Sequence, residues 1–124
     1  MQNRITIKDA KIVDNMLVLQ ADQYENDENE LQAKGQMLVD SDNLAFIYIL
    51  ETSEQYVYVG IPYTMWKQLD EAKIKQLPVY VQVNNKQIEL INVIDELSFL
   101  LDNIKDNGNY GEELERKVVE LFSL

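Results

Sequence analysis

The sequence predicts a single α+β domain over residues 1–124, a mainly antiparallel sheet built from hairpins with about three helices, two of them C-terminal. Three observations carry this. Residues 36–61, QMLVDSDNLAFIYILETSEQYVYVGI, hold three apolar runs separated by the turn-forming cluster DSDN and the polar connection ETSE. Alternating apolar and polar residues flank a tight-turn pair on either side of that stretch, at Asp14-Asn15 and at Asn84-Asn85. Beyond residue 92, apolar residues recur at helical spacing in two separate segments.

Composition fits one such domain and closes several chemistries. A chain of 124 residues, 46% hydrophobic and 27% charged, is globular and too short for two ordinary domains. Its 22 acidic residues against 11 basic ones give a formal net charge of −11. That charge repels nucleic-acid phosphates and anionic membrane surfaces, and it favours solubility and basic partners. Cysteine and histidine are both absent. Disulfides, thiolate or imidazole metal sites, Cys nucleophiles and Ser-His-Asp catalysis are therefore closed. The N-terminal MQNRITIKDAK lacks the apolar run of a signal peptide, and no stretch approaches the ~18 apolar residues of a membrane span. A cytoplasmic protein is the expectation.

The strands follow in order. Ile5 and Ile7 open the first, and a two-residue turn at Asp14-Asn15 pairs Val13 with Met16, Ile12 with Leu17 and Ala10 with Leu19. Residues 22–34 are acidic with few apolar anchors, and they read as a solvated, mobile loop. They lack the D-x-[DN]-x-[DN]-G spacing that wraps oxygens around calcium. A four-residue loop at residues 40–43 pairs Val39 with Leu44 and Met37 with Phe46. A tip at Thr52-Ser53 pairs Tyr48 with Val57 and Ile49 with Tyr56. One face then holds Leu44, Phe46, Tyr48, Leu50, Val57, Val59 and Ile61, and the other Ala45, Ile47, Ile49, Tyr56, Tyr58 and Gly60. Both faces are apolar, so this hairpin is expected to be central and covered on both sides.

Pro62 suits a helix first turn, and residues 63–76 carry Met65, Leu69 and Ala72 on one stripe, widened by Trp66 as a core anchor. Leu77-Pro78 stops that helix. The hairpin around Asn84-Asn85 puts its valines, Ile88 and Leu90 inward and Tyr80, Gln82, Gln87 and Glu89 outward, which places it near an edge. Asn92 is a candidate N-cap for a helix with Val93, Leu97, Leu101 and Ile104 on its apolar stripe, and Phe99 projects from its polar side. DNGNYG at residues 106–111 breaks this helix, and Glu112 starts a last one with Leu114, Val118, Leu121 and Phe122 inward.

No catalytic, cofactor-binding or metal-ligating constellation emerges. Asp40 and Asp42 are explained by turn chemistry. The glycines before the last helix fit a helix-to-helix turn, because Glu112 and Glu113 would repel an anion there. What remains is a surplus of apolar surface: Ile47, Ile49, Tyr56 and Tyr58 on the second sheet face, and Phe99 on its helix. These five form the candidate interaction surface.

GQMLVDSDNLAFIYILE at residues 35–51 and LDNIKDNGNYGEELE at residues 101–115 resemble segments of a small family of unknown function from Bacillales-type Gram-positive bacteria. The likeness runs from about Gly35 almost to the C-terminus and weakens in the acidic segment before it. It implies a cytoplasmic bacterial protein and carries over no activity and no site residue. The expected function is a non-enzymatic protein-binding or regulatory domain with a protein partner or a homodimeric second copy. No nucleic acid, membrane, cofactor or known small-molecule ligand is expected. Two alternatives stand beside it: an enzyme using carboxylate and tyrosine acid-base groups, and an acidic mimic of nucleic acid.

Overall fold

Asp14 and Asn15 both adopt positive φ, 53° and 61°, which is the backbone twist a two-residue hairpin needs. They join β1 (Arg4–Val13) to β2 (Met16–Ala21) with the expected pairs Val13 with Met16, Ile12 with Leu17 and Ala10 with Leu19. The computed structural model describes residues 3–105 and 107–122, so Asp106 of the expected interhelical turn lies outside the described residues. The other strands are β3 (Gln32–Asp40), β4 (Ala45–Glu51), β5 (Tyr56–Pro62), β6 (Val79–Val83) and β7 (Lys86–Glu89). The helices are α1 (Trp66–Lys75), α2 (Val93–Ile104) and α3 (Glu112–Leu121).

The seven strands form one curled sheet in the order β3-β4-β5-β1-β2-β6-β7. The β1–β2 hairpin is its middle. β5 lies parallel to the N-terminal half of β1 and β6 lies parallel to β2, while the remaining pairs are antiparallel. A register shift between Ile7 and Asp9 marks a bulge in β1. It reconciles two inward sets of opposite parity, Ile5 and Ile7 before it and Ala10 and Ile12 after it, on one core face.

Two hairpin registers differ from expectation by two residues each. Val39 pairs with Phe46 and Met37 with Tyr48, because Asp40 stays in the strand, paired with Ala45, and accepts from the Asn43 amide. Leu44 takes the positive-φ turn position instead. Tyr48 pairs with Val59 and Ile49 with Tyr58, because the loop holds four residues rather than two. The Thr52 hydroxyl accepts from the amides of Glu54 and Gln55 and closes it. A shift of two preserves strand parity, so every side chain keeps its expected face.

Pro62 ends β5 opposite Ala45 rather than starting a helix. A short 3-10 turn, Tyr63–Met65, follows, and α1 begins at Trp66. The Trp66 ring is fully buried, 4.7 Å from Phe46 and 5.8 Å from Phe122, and its Nε1 donates to the Ile61 carbonyl. Asn92 precedes α2 with φ 61° and makes no side-chain cap, while the Glu96 carboxylate accepts from the Met37 amide on β3. The helices pack on the side of Phe46, Tyr48 and Leu50 and share one hydrophobic core with β1, β2, β6 and β7.

Within the acidic stretch, Tyr24 and Leu31 are buried and β3 begins at Gln32, ahead of the expected strand start. The β6–β7 turn holds this stretch. The Asn84 side chain accepts from the Tyr24 amide and donates to the Tyr24 carbonyl, and Lys86 Nζ donates to the carbonyls of Leu31 and Asn29. Those lysine bonds tie β7, at one sheet edge, to the residues that lead into β3, at the other.

Candidate functional site

β4 is the strand that decides which surface is spare. All six residues from Ala45 through Leu50 are buried, but they divide by parity. Phe46, Tyr48 and Leu50 belong to the main core, whereas Ala45, Ile47 and Ile49 do not. The Tyr48 hydroxyl shows what the inner side is for. It donates to the Ile91 carbonyl at 2.7 Å and accepts from the Gly35 amide at 3.1 Å, and burial pushes its pKa up to about 12.

The outer side is built in rows by strand register. Thr6, Gly60, Ile47 and Leu38 stand side by side across β1, β5, β4 and β3. Arg4, Tyr58 and Ile49 form the next row, and Pro62, Ala45 and Asp40 flank the other side. No helix of the described residues lies here, and the expectation of cover on both sides by other elements is corrected. Ile47 and Ile49 are nevertheless only 5% and 4% exposed. Long side chains of neighbouring strands do the covering.

Arg4 reaches from β1 across Gly60 to β3, where its Nη1 meets Asp40 Oδ2 at 2.8 Å. A Cβ on Gly60 would stand 2.9 Å from Arg4 Nη2, so the glycine lets the guanidinium lie against the sheet. From the opposite edge, Lys34 of β3 places its Nζ 5.1 Å from the Tyr56 ring centroid on β5. Each cation extends its apolar stem over the strands between, as long basic side chains do on apolar surface. The Arg4–Asp40 bridge separates two grooves. One, of about 550 Å³, is lined by Asn3, Leu38, Ile47 and Tyr58, and the other, of about 380 Å³, by Thr6, Asn43, Ala45 and Pro62.

The electrostatics of this face disfavour proton transfer at Asp40. Hydrogen bonds from Asn43, opposed by partial burial and reinforced by Arg4, hold the Asp40 carboxyl below the usual carboxylate range. A carboxylate so engaged stays ionised and is a poor proton carrier. A separate polar groove of about 460 Å³ lies between residues 24–30 and the β4–β5 loop, lined by Tyr24, Asp27, Glu30 and Glu54. Those three carboxylates are exposed, and no group of three Asp, Glu, His or Cys among the described residues could hold a metal ion.

Four of the five sequence-predicted surface residues, Ile47, Ile49, Tyr56 and Tyr58, come together on the outer face. Tyr56 is 45% exposed at its margin, and Ile47 and Ile49 form its floor. Phe99 does not join them: it is 65% exposed on α2, in the helical layer. Leu38, Lys34 and Arg4 belong to the face and were not singled out from the sequence, and Asp40, which also belongs to it, was read only as a turn former. The signal available was Gly60, a lone glycine within an apolar strand run, which marks a close approach.

A profile described as a family of unknown function, UPF0738, matches residues 5–122. The "UPF0738 protein YjbL" of Bacillus subtilis strain 168 is 48% identical over 122 residues, covering 98% of this chain and 99% of that protein. UPF0738 proteins of Bacillus cytotoxicus and of Bacillus mycoides strain KBAB4 are 43% and 42% identical, with the same coverage. The likeness therefore extends upstream of Gly35 and takes in the first hairpin and the acidic stretch. No solved structure matches the chain. No helix of the described residues is long and apolar enough to cross a membrane.

Proposed function

The chain belongs to the UPF0738 family, of unknown function, and from that premise we propose that it is a non-enzymatic protein-binding or regulatory domain of the bacterial cytoplasm. Its binding surface is the outer face of β3, β4 and β5. One observation carries this reading: an apolar floor of Ile47 and Ile49, rimmed by the exposed Leu38 and Tyr56, lies where no helix of the described residues packs. Interfaces favour this composition, aromatic and aliphatic at the centre with arginine among the enriched residues.

The carboxylate enzyme is less well supported, because the exposed acids of the polar groove lack the burial and the close partner that tune an acid-base pair. The nucleic-acid mimic needs acids along one extended face. Here they lie on α1 (Asp70, Glu71), on α2 (Asp95, Asp102), on α3 (Glu112, Glu113) and in the stretch Glu25, Asp27 and Glu30.

The test is affinity capture from the cytoplasm of a Bacillus host, with partners identified by mass spectrometry. Leu38→Glu and Tyr56→Glu should abolish the specific capture with circular dichroism unchanged, and Phe99→Ser should leave it intact. A capture that survives both face variants overturns the reading.

A further inference from the structure

We propose that the occupant of this face is a second copy of the same chain, related by a two-fold axis so that Arg4 of each copy reaches Asp40 of the other. The inference rests on the reading of the face as a protein-binding surface. Arg4 donates to its own Asp40 through Nη1 alone. Its Nε and Nη2 lie over Gly60, and no described residue accepts from them. That side-on pair of donors is the edge that binds a carboxylate with two parallel hydrogen bonds.

The matching acceptor lies on the same patch. Asp40 accepts from Arg4 and twice from Asn43. A carboxylate offers about four acceptor positions, so capacity for a further donor remains. A surface that carries both a donor surplus and its acceptor is self-complementary, and a two-fold axis lets each copy supply what the other lacks.

Net charge points the same way. The chain carries −11, yet the two charges of the bridge cancel and Lys34 adds a cation at the far margin. A strongly basic partner finds better anchorage at Glu25, Asp27, Glu28 and Glu30 than here, and an acidic partner is repelled by the molecule as a whole. A near-neutral, apolar face is where two acidic chains can meet. Their remaining repulsion is screened over about 8 Å at physiological salt.

The experiment is the mass of the full chain in solution, by light scattering or sedimentation, over a range of salt. A dimer is expected, strengthened as salt rises, which is opposite in sign to binding of a basic partner. Arg4→Asp alone and Asp40→Arg alone should each be monomeric. Mixed in equal amounts they should recover a dimer, because opposite charges then face each other at both reciprocal contacts. A bridge that serves only within one chain predicts no recovery on mixing. Leu38→Glu, at a 42% exposed position, should also give a monomer and keeps the test readable if a charge-reversed chain fails to fold. A monomer at every salt concentration, a dimer that Leu38→Glu retains, or folded single variants that stay monomeric when mixed overturns the proposal. A monomeric chain whose capture of another protein is lost with Leu38→Glu would leave the surface standing and sink the second copy alone.

Discussion

The Tyr48 hydroxyl joins three pieces of the chain that are distant in sequence: β4, the bulged part of β3 at Gly35, and the segment leading into α2 at Ile91. Tyr48→Phe removes both bonds without opening a cavity, and it leaves one partly buried amide and one partly buried carbonyl without this partner. The cost should be about 1–3 kcal/mol, measured as a lowered denaturant midpoint with unchanged slope. Asp40 gives a pH-dependent counterpart. Its folded-state carboxyl is lowered from 3.8, so its contribution is fully present above that value and is lost as pH falls through the lower folded value. Asp40→Asn should therefore cost about 1 kcal/mol at neutral pH, the size of a partly exposed ion pair. The gap between variant and parent should close in acid.

At the scale of elements, the turns of the first and last hairpins were legible to the residue. Asp14-Asn15 and Asn84-Asn85 are two-residue turns whose neighbours alternate cleanly, so turn and face agree. The two central hairpins were legible by face and not by register. Their loops are set by side-chain acceptors, Asp40 in one and Thr52 in the other, and such bonds choose between loop lengths that composition leaves equal. Pro62 was read as a helix start because its fixed φ suits that place, but the same φ is acceptable at a strand end. The acidic stretch was read from its charge, which hides how few contacts are needed to seat it. Tyr24 and Leu31 enter the core, and Asn84 holds the Tyr24 backbone at both its amide and its carbonyl. Asn84→Ala should raise amide exchange and proteolytic cutting across residues 22–31 while leaving protection in β4 unchanged. Equal loosening of both would show that the segment folds with the core rather than being latched to it.

For the molecule as a whole, the fold class followed from turn residues and periodicity, whereas strand order did not. The parallel contacts of β1 with β5 and β2 with β6 join strands far apart in the chain, and no local pattern encodes them. The candidate face was half legible for the same reason. Strand parity placed Ile47, Ile49, Tyr56 and Tyr58 together, but Arg4 comes from β1, whose place beside β5 depends on that order, and Lys34 lay in the stretch read as a loop. Phe99 stood out by helical angle and was correctly read as projecting from the polar side of its helix.

The hydrogen bonds of Lys86 to the carbonyls of Leu31 and Asn29 bear on how the protein avoids its own kind in the wrong geometry. An open sheet ends in two strands whose unpaired backbone groups can template a foreign strand. Here the lysine occupies carbonyls just ahead of β3, and Glu96 occupies the Met37 amide along β3 itself. Removing these plugs by Lys86→Met with Glu96→Leu should produce slow, concentration-dependent growth of thioflavin-positive aggregates, with either single variant intermediate. Absence of growth in the double variant would show that curl alone keeps the edges from being copied. Partners of this chain would then be chosen by its faces, with its strand ends withheld from the competition.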